Sequence, residues 1–333
     1  MIALHRLLPL VFLVAAPAAA EPEIAATVAD DKASVEFHAG KQLVTRYHIG
    51  PAVAKPYFYP VLAPGGVPVT RDWPMKTGAP QETKDHVHQK SAWFCHGDVI
   101  PEGLAVAPSG DTNVKGVDFW SEGKGHGVIV CVEVNPVKDD PAAVLTRNEW
   151  RDSSGTRVLD EARTIRLRPA AGGYLLVVDI DLGASVRPLT FGDTKEGSMG
   201  VRVRDEIRLS AKPATGALTN SNDKSGENEV WGMLADWCDY SGAVDGQPVG
   251  IALFDDPANK PRACWHSRGY GLMAANPFGR KASGFPAMRD RDDLVKLAKG
   301  EHLKLRYGMF LHAGDVKDGK VAEAFAAFGR KDK

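Results

Sequence analysis

Apolar and polar residues alternate in short segments along most of the chain, and Gly, Pro, Asp or Asn bounds each segment. Alternation with a period of two is typical of β-strands that bury one face. The segments with this pattern cover residues 34–38, 127–134, 164–169, 174–182, 201–210, 249–254 and 303–311. One stretch, 318–330, instead has a helical stripe that Gly329 ends and that comprises Val321, Ala324, Phe325 and Phe328. The pattern predicts an all-β protein with a short C-terminal helix.

So many strands in one chain predict two large antiparallel sheets packed face to face as a β-sandwich. No repeat of fixed period occurs, so a propeller or a β-helix is not expected. We expect residues 21–333 to form a single domain of this kind. The loops that could wall a cleft over a concave polar face are those at 60–80, 100–125 and 211–230.

The first residues of the chain have the pattern of a secretory signal peptide. A short cationic start precedes an apolar run over 7–16, and small residues follow at 18–20. We therefore expect residues 1–20 to be a signal peptide and the protein to be periplasmic or secreted. No later segment approaches the roughly 20 apolar residues of a membrane-spanning helix.

Charge and motif content disfavour several classes of function. Lys and Arg number 41 and Asp and Glu number 42, with the signs interspersed, so neither nucleic acid nor an anionic membrane is an expected partner. The chain has no G-x-S-x-G elbow, P-loop or dinucleotide fingerprint. A serine hydrolase, an NTPase and a dehydrogenase are therefore poor interpretations.

The cysteine content leaves disulfide bonding open. In an exported protein, four cysteines allow up to two disulfides: Cys95, Cys131, Cys238 and Cys264. Their spacing contains no CxxC pattern, so a structural zinc site built on them is not expected.

The segment 85–98, DHVHQKSAWFCHGD, is too polar for a core strand and too aromatic for an ordinary loop. On a strand His86 and His88 would face the same side, whereas His96 could join them only through the fold. Imidazoles suit proton transfer around a sugar ring because they titrate near neutral pH. A pair of them also suits a divalent metal near His86 and His88, with a third ligand from elsewhere. The remaining interpretation is a turn with solvated histidines.

The segment 116–127, GVDFWSEGKGHG, would place Asp118, Trp120 and Glu122 on one strand face. A tryptophan between carboxylates can stack on a sugar ring and hydrogen-bond its hydroxyls, with one carboxylate left for acid/base work. A half-buried tryptophan among surface charges would have the same pattern.

The glycine-rich stretch 191–203 contains two further candidates, Lys195 and Arg202. Both could bind a carboxylate or stabilise an enolate-like charge. Such residues suit the recognition of an oxidised or charged sugar.

The stretch 264–279 would place His266, Arg268 and Tyr270 on one strand face. This combination suits proton abstraction beside a uronate or keto group, and Asn276 in the same stretch is a candidate for substrate binding. An edge strand with its polar side outward is the alternative.

Five blocks together resemble a family of exported bacterial proteins known as the PmoA family, or methane oxygenase PmoA: 56–74, 85–99, 116–123, 191–203 and 265–279. The resemblance implies a sandwich similar to the galactose mutarotase supersandwich and a role beside polysaccharide and glycoside breakdown. The family's label also implies a copper-dependent oxidase. Some relatives have two adjacent histidines where this chain has His88 followed by Gln89, which weakens a metal site that needs both imidazoles.

We therefore expect an exported carbohydrate-active enzyme that cleaves or isomerises a glycoside by acid/base chemistry on a concave sheet face. The expected catalytic residues are His86, His88, His96, Glu122 and His266. The expected substrate-binding residues are Trp93, Asp118, Trp120, Lys195, Arg202, Arg268, Tyr270 and Asn276. The alternatives are a non-catalytic glycan-binding protein and a metal-dependent oxidase.

Overall fold

The computed structural model describes residues 22–78, 82–106 and 113–330, and the expected signal peptide lies outside this part of the chain. The described residues are almost entirely antiparallel β-structure with a short C-terminal helix, which confirms the predicted fold class. None of the described helices is long and apolar enough to cross a membrane.

The strands are numbered in chain order: β1 Ile24–Val28, β2 Ser34–Ala39, β3 Gln42–His48, β4 Tyr57–Ala63, β5 Val67–Pro68, β6 Ala92–His96, β7 Val99–Pro101, β8 Val128–Val137, β9 Asp140–Arg151, β10 Arg157–Ala170, β11 Gly173–Gly183, β12 Leu189–Phe191, β13 Gly197–Arg202, β14 Ala217–Asn220, β15 Trp237–Val244, β16 Gln247–Asp255, β17 Cys264–Arg268, β18 Leu272–Asn276, β19 Val295–Leu297 and β20 His302–Ala313. The helices are α1 Glu227–Val230 and α2 Val321–Phe328.

These strands form two large sheets and one small sheet. The front sheet has the order β1-β2-β3-β4-β6-β13-β18-β17, with β5 paired to β4. The back sheet has the order β14-β15-β16-β20-β11-β10-β9-β8. The small sheet, with the order β19-β12-β7, is an addition to the predicted sandwich.

The main core lies between the front and back sheets. Phe94 of the front sheet contacts Trp150 and Tyr307 of the back sheet, with 6.1 Å between ring centroids in each pair. On the opposite face of the back sheet, α2 packs Val321 and Phe328 against the buried sheet residues. The back sheet is therefore covered on both faces around α2, which explains why residues 175–178 of β11 are apolar at successive positions.

A buried polar cluster joins the two large sheets. Arg163 of β10 donates to the Glu161 carboxylate at 2.5 Å and to the Tyr47 hydroxyl of β3 at 2.8 Å. Trp150 donates from its indole nitrogen to Glu161 at 2.7 Å. Neither charged side chain of the pair is exposed, and each is stabilised because it has a partner of opposite charge.

Two strand predictions were wrong in detail. The predicted strand at 201–210 ends at Arg202, and a short 3₁₀ turn follows at Asp205–Ile207. Asp205 instead accepts hydrogen bonds from the backbone and the hydroxyl of Thr83, at 2.7 and 2.6 Å, which draws the chain out of the sheet. The segment 116–127 has no strand, because Asp118 accepts the backbone N–H groups of Trp120 and Ser121 and bends the chain.

All four cysteines are free thiols in the structure, so neither of the two disulfides that the sequence allows is formed. Cys95, Cys238 and Cys264 are buried, and Cys131 is half-buried. Burial raises the pKa of Cys95 and Cys264 to about 12, which keeps these thiols protonated and unreactive.

Candidate functional site

A row of side chains crosses the outer face of the front sheet through five paired positions: Tyr57, Trp93, Gly200, Ala274 and His266. The small residues Gly200 and Ala274 leave a depression in this row, and Trp120 from the 113–127 loop occupies it. The Trp120 ring lies 5.0 Å from the Trp93 ring and 6.3 Å from the His266 ring, centroid to centroid. A Cβ atom on Gly200 would lie 2.9 Å from Trp93 and 3.3 Å from Trp120, so glycine is required for this packing.

Trp93 and Trp120 therefore pack on each other instead of offering open stacking faces. Trp93 is fully buried and Trp120 is 1% exposed. Trp120 contributes to the floor of a hollow above the sheet, whereas Trp93 supports it from below. Both tryptophans were expected to stack on a sugar ring, but only one edge of the Trp120 indole is available to a ligand.

The hollow, called the inner hollow below, has a volume of 150 Å³. Its walls come from four loops and from the turn after β17, and nearly all of its side chains can form hydrogen bonds. The lining comprises His86, His88, Gln89, Gly97, Asn113, Val114, Asp118, Trp120, Ser121, Thr194, Glu196 and Tyr270.

On one side of the inner hollow, Asp85 is held between two buried guanidinium groups. Arg71 donates to Asp85 Oδ1 at 2.6 Å, and Arg202 donates to Oδ1 and Oδ2 at 2.9 and 3.1 Å. Burial alone would raise the pKa of Asp85, but Arg202 and Arg71 outweigh it and lower the pKa to about 2. Asp85 is therefore a permanent carboxylate.

His86 lies between Asp85 and Tyr270. Its Nδ1 atom is 3.2 Å from Asp85 Oδ2, and its ring is stacked on Tyr270 with 5.2 Å between centroids and 8° between planes. The backbone of His86 has φ 39°, a conformation that costs free energy for a residue with a side chain. The side chain is 42% exposed, so the ring is both oriented and accessible.

His88 reaches the hollow beside His86, as predicted, but through a turn and not along a strand. The two rings meet edge to face at 5.7 Å. Burial, followed by the charges of Lys55 and His86, lowers the pKa of His88 to about 4. His88 is therefore neutral at pH 7 and can accept a hydrogen bond from a ligand.

Glu122 is fixed between two ammonium groups. Lys55, which is 1% exposed, donates to Glu122 Oε1 at 2.9 Å and to the Trp120 carbonyl at 2.8 Å. Lys90 donates to Glu122 Oε2 at 2.6 Å. Burial alone would raise the pKa of Glu122, but the two lysines lower it. The predicted catalytic carboxylate is thus held as an anion that fixes the Trp120 loop.

His266 is neutral and enclosed. Its Nδ1 atom lies 2.7 Å from the Lys195 carbonyl, and its ring meets Trp231 edge to face at 5.0 Å. Burial, then the charges of Arg268 and Lys195, lower the pKa of His266 to about 3. The side chain supports Trp120 and does not line the inner hollow.

His96 lies on the other face of the front sheet. It alternates with Trp93 along β6, shares the inward face with Phe94, and packs against Phe278 at 4.6 Å. Its Nε2 atom is 2.9 Å from the Gly192 carbonyl, and burial lowers its pKa to about 4. The structure therefore does not bring His96 together with His86 and His88.

The remaining expected residues lie at the margins of the site. Arg268 packs on Trp231, 3.6 Å from the ring centroid, and pairs with Glu227 at 3.1 Å. Asn276 donates to the Thr194 and Lys195 carbonyls at 2.9 and 3.1 Å, which fixes the loop that carries them. Lys195 is exposed.

Asp118 lines the hollow and lies 3.5 Å from His126. The carboxylate thus faces the cavity, although the strand geometry predicted for it is absent. The described residues contain no group of three or more His, Cys, Asp or Glu side chains placed to hold a metal ion. His86 and His88 accordingly lack a further metal ligand in the described part of the chain.

Several residues that shape the site were not among the expected site residues: Lys55, Arg71, Gln89, Lys90 and Glu196. Lys55 and Arg71 are distant in sequence from their partners, and no local pattern marks them. Gln89 and Lys90 had a signal, since both lie inside the histidine-rich segment, and Glu196 lies inside the glycine-rich stretch 191–203.

Two solved structures are similar to this chain at low identity. A galactose mutarotase-like protein from Lactobacillus casei has 11% identity and a TM-score of 0.37, and the match covers 87% of this chain and 100% of that one. A 4-alpha-glucanotransferase from Thermococcus litoralis has 7% identity and a TM-score of 0.29, and the match covers 88% of this chain and 39% of that one. A search of curated proteins found no match.

One family profile covers most of the chain. It matches residues 34–326 and is described as a family of unknown function, DUF6807. The matched range runs from β2 into α2 and includes every residue of the inner hollow. The chain therefore belongs to the DUF6807 family.

Proposed function

We propose that the protein is a carbohydrate-active enzyme in which His86 removes a proton from a sugar and Tyr270 supplies one. The observation that carries this proposal is the contact of His86 with Asp85 at the mouth of the inner hollow. An accessible imidazole beside a charged carboxylate that is itself held in place is a common arrangement for a general base.

The geometry of His86 favours one tautomer. With its proton on Nδ1, the neutral ring faces the Asp85 carboxylate and leaves the Nε2 lone pair available to a ligand. Asp85 stabilises the imidazolium that forms when Nε2 accepts a proton. The two guanidinium groups hold Asp85 in place during this step.

Tyr270 is suited to give a proton. Burial raises the pKa of Tyr270, so the phenol stays protonated at neutral pH, while the charge of Arg202 offsets part of this shift and stabilises the phenolate that remains when the proton is given. The Gln89 side-chain oxygen accepts from Arg202 at 2.6 Å, which leaves its amide nitrogen as the group that can face the Tyr270 hydroxyl. A phenol oxygen that accepts from an amide keeps its own proton for a ligand oxygen.

The lining of the inner hollow supports a sugar as the ligand. Carboxylates, amides, hydroxyls and imidazoles surround a single indole edge, so most contacts would be hydrogen bonds. A ring with several hydroxyl groups satisfies such a lining, whereas an apolar ligand would leave its polar groups unpaired.

Export to the periplasm or the medium, and membership of the PmoA family, are retained as parts of this proposal on the sequence patterns described above. Of the expected catalytic residues, this proposal assigns the role of the base to His86. His88 then serves as a neutral hydrogen-bond acceptor within the hollow, in keeping with its lowered pKa.

A product screen on neutral, acidic and 3-keto glycosides tests the proposal, with His86→Asn as the variant. His302→Asn is a matched control because His302 also contacts an aspartate, Asp181, at 2.6 Å but lies on the back sheet. We expect His86→Asn to lower turnover by about 10²-fold or more, and the control to leave it unchanged. Unaltered turnover in His86→Asn would remove His86 as the base.

Binding of a glycan without any product in the same screen would favour the alternative of a non-catalytic glycan-binding protein. In that case His86→Asn should change only the affinity.

A further inference from the structure

A second and larger hollow lies beside the inner hollow. This outer hollow has a volume of 600 Å³, and it shares the residues Asn113, Thr194 and Glu196 with the inner hollow. Since these three side chains border both spaces, the two hollows are adjacent above β13 and β6, and together they are called the groove.

The size of each compartment limits the ligand. Ligand pockets for molecules of drug size measure about 300–1,000 Å³. The inner hollow, at 150 Å³, is smaller than this range, whereas the outer hollow, at 600 Å³, is within it. A ligand that fits only the inner hollow would leave most of the groove filled with water.

The charges of the outer hollow oppose an anionic ligand. Its lining has two ammonium groups, on Lys115 and Lys195, and four carboxylates: Asp98, Asp193, Glu196 and Asp292. Among the described residues, no aromatic side chain is part of this lining, so an aromatic or apolar group has no stacking partner there. Ammonium groups donate hydrogen bonds and carboxylates accept them. A lining that offers both, and no stacking surface, suits the hydroxyl groups of neutral sugars.

One wall of the outer hollow is fixed by Asp193. Its carboxylate accepts the backbone N–H groups of Arg280 and Ser283, at 2.6 and 3.0 Å, and the hydroxyl of Ser283 at 2.5 Å. A wall that is already ordered loses little conformational entropy when a ligand binds.

We propose that the substrate is a neutral oligosaccharide, with one sugar ring at the inner hollow and further rings along the outer hollow. This inference rests on the proposed function, because it extends the ligand of that same site. Asn113, Thr194 and Glu196 then border the linkage between the rings.

Affinity measured against chain length tests this inference. The probes are neutral saccharides of one to five rings, made of α- or β-linked glucose, galactose, mannose or xylose, together with uronic acid oligosaccharides. Ala282→Trp is the informative variant because Ala282 is exposed and lines only the outer hollow. Its backbone N–H, which donates to Asp193, is retained. Ala326→Trp, on the exposed side of α2, is the matched control.

We expect a three-ring neutral saccharide to bind at least tenfold more tightly than one ring, and Ala282→Trp to abolish this gain while the affinity for one ring stays unchanged. Equal affinities for one and three rings, or tighter binding of the uronic acid chains, would overturn the inference and leave the proposed function intact. If no saccharide binds or reacts, both fail. Matching unfolding midpoints of the two variants show that the substitution itself is tolerated.

Discussion

The imidazole of His86 lies parallel to the phenol ring of Tyr270, with 5.2 Å between their centroids. Arg202 packs 4.6 Å from the centroid of the same phenol ring, and it also binds Asp85, the carboxylate beside His86. Stacking and ion pairing thus hold the proposed base and the proposed acid in one unit. A substitution within this unit therefore removes either a proposed reacting atom or only a contact that holds the reacting groups in place.

Replacing Tyr270 by Phe removes the proposed acid but keeps the stacked ring. We expect turnover to fall by about 10²-fold with little change in stability, because the ring contacts with His86 and Arg202 remain. Steady-state kinetics and thermal unfolding measure the two effects. Tyr174→Phe, at a half-buried tyrosine of β11, is the control. Full activity in Tyr270→Phe would require a different proton donor.

Replacing Lys55 by Met should destabilise the protein by about 3 kcal/mol, because Glu122 loses a partner in a buried site. The Trp120 carbonyl also loses its hydrogen bond from Lys55. Urea unfolding measures the change. In the control Lys304→Met, the lysine is 80% exposed, and we expect a change within about 0.5 kcal/mol. A loss as small as that of the control would mean that Lys90 alone holds Glu122.

Replacing Gly200 by Ala should displace Trp120. The new methyl group would lie 2.9 Å from Trp93, and such overpacking costs about 1–3 kcal/mol. We also expect lower activity, since Trp120 is part of the floor of the inner hollow. Gly329→Ala is the control because its nearest neighbour lies at 3.9 Å. Equal unfolding free energies for the two variants would contradict the packing described for this row.

A buried pair in the back sheet predicts a pH dependence. His312 Nε2 lies 2.8 Å from Asp239 Oδ2, with 0% and 1% of the two side chains exposed. Burial alone lowers the pKa of His312, but Asp239 outweighs it and the net shift is upward. The folded protein therefore binds this proton more tightly than the unfolded chain. The stabilisation is complete below pH 6.5, the ordinary value, and is lost as pH rises through the folded pKa.

The unfolding free energy of His312→Gln tests whether the stabilisation by this histidine is lost as pH rises. The substitution should cost more stability at pH 6 than at pH 9, as measured by urea unfolding at both values. His302→Gln, at an exposed histidine beside Asp181, should cost little at either pH. A cost for His312→Gln that is the same at both values would mean that its packing, and not its proton, stabilises the fold.

The strands were predictable because burial of one sheet face imposes alternation locally. The exception at 201–210 shows the limit. Val201 and Arg202 continue the alternation, but the chain leaves the sheet where Asp205 meets Thr83, a residue more than one hundred positions earlier. A contact between residues so far apart in the sequence does not alter the local alternation of apolar and polar residues.

The site was predictable only in part for the same reason. His86, His88, Asp118 and Tyr270 were singled out by residue type, and the fold does bring them to one hollow. The carboxylates of Glu122 and Asp85 are held as anions by groups that include Lys55 and Arg71, which lie elsewhere in the chain. Residue type also could not show that Trp93 and Trp120 pack on each other, since that depends on the pairing of β6 with β13.

The hydrogen bond from Arg163 to Tyr47 connects the two layers of the sandwich. If one layer slid along the other by a residue, the guanidinium and the Glu161 carboxylate would face apolar neighbours without this partner. Alternative alignments of the layers are therefore penalised, and a single alignment is selected. The loops that carry His86 and Tyr270 extend from a layer whose position is set in this way, so the spacing of the reacting groups is determined partly in the interior of the protein.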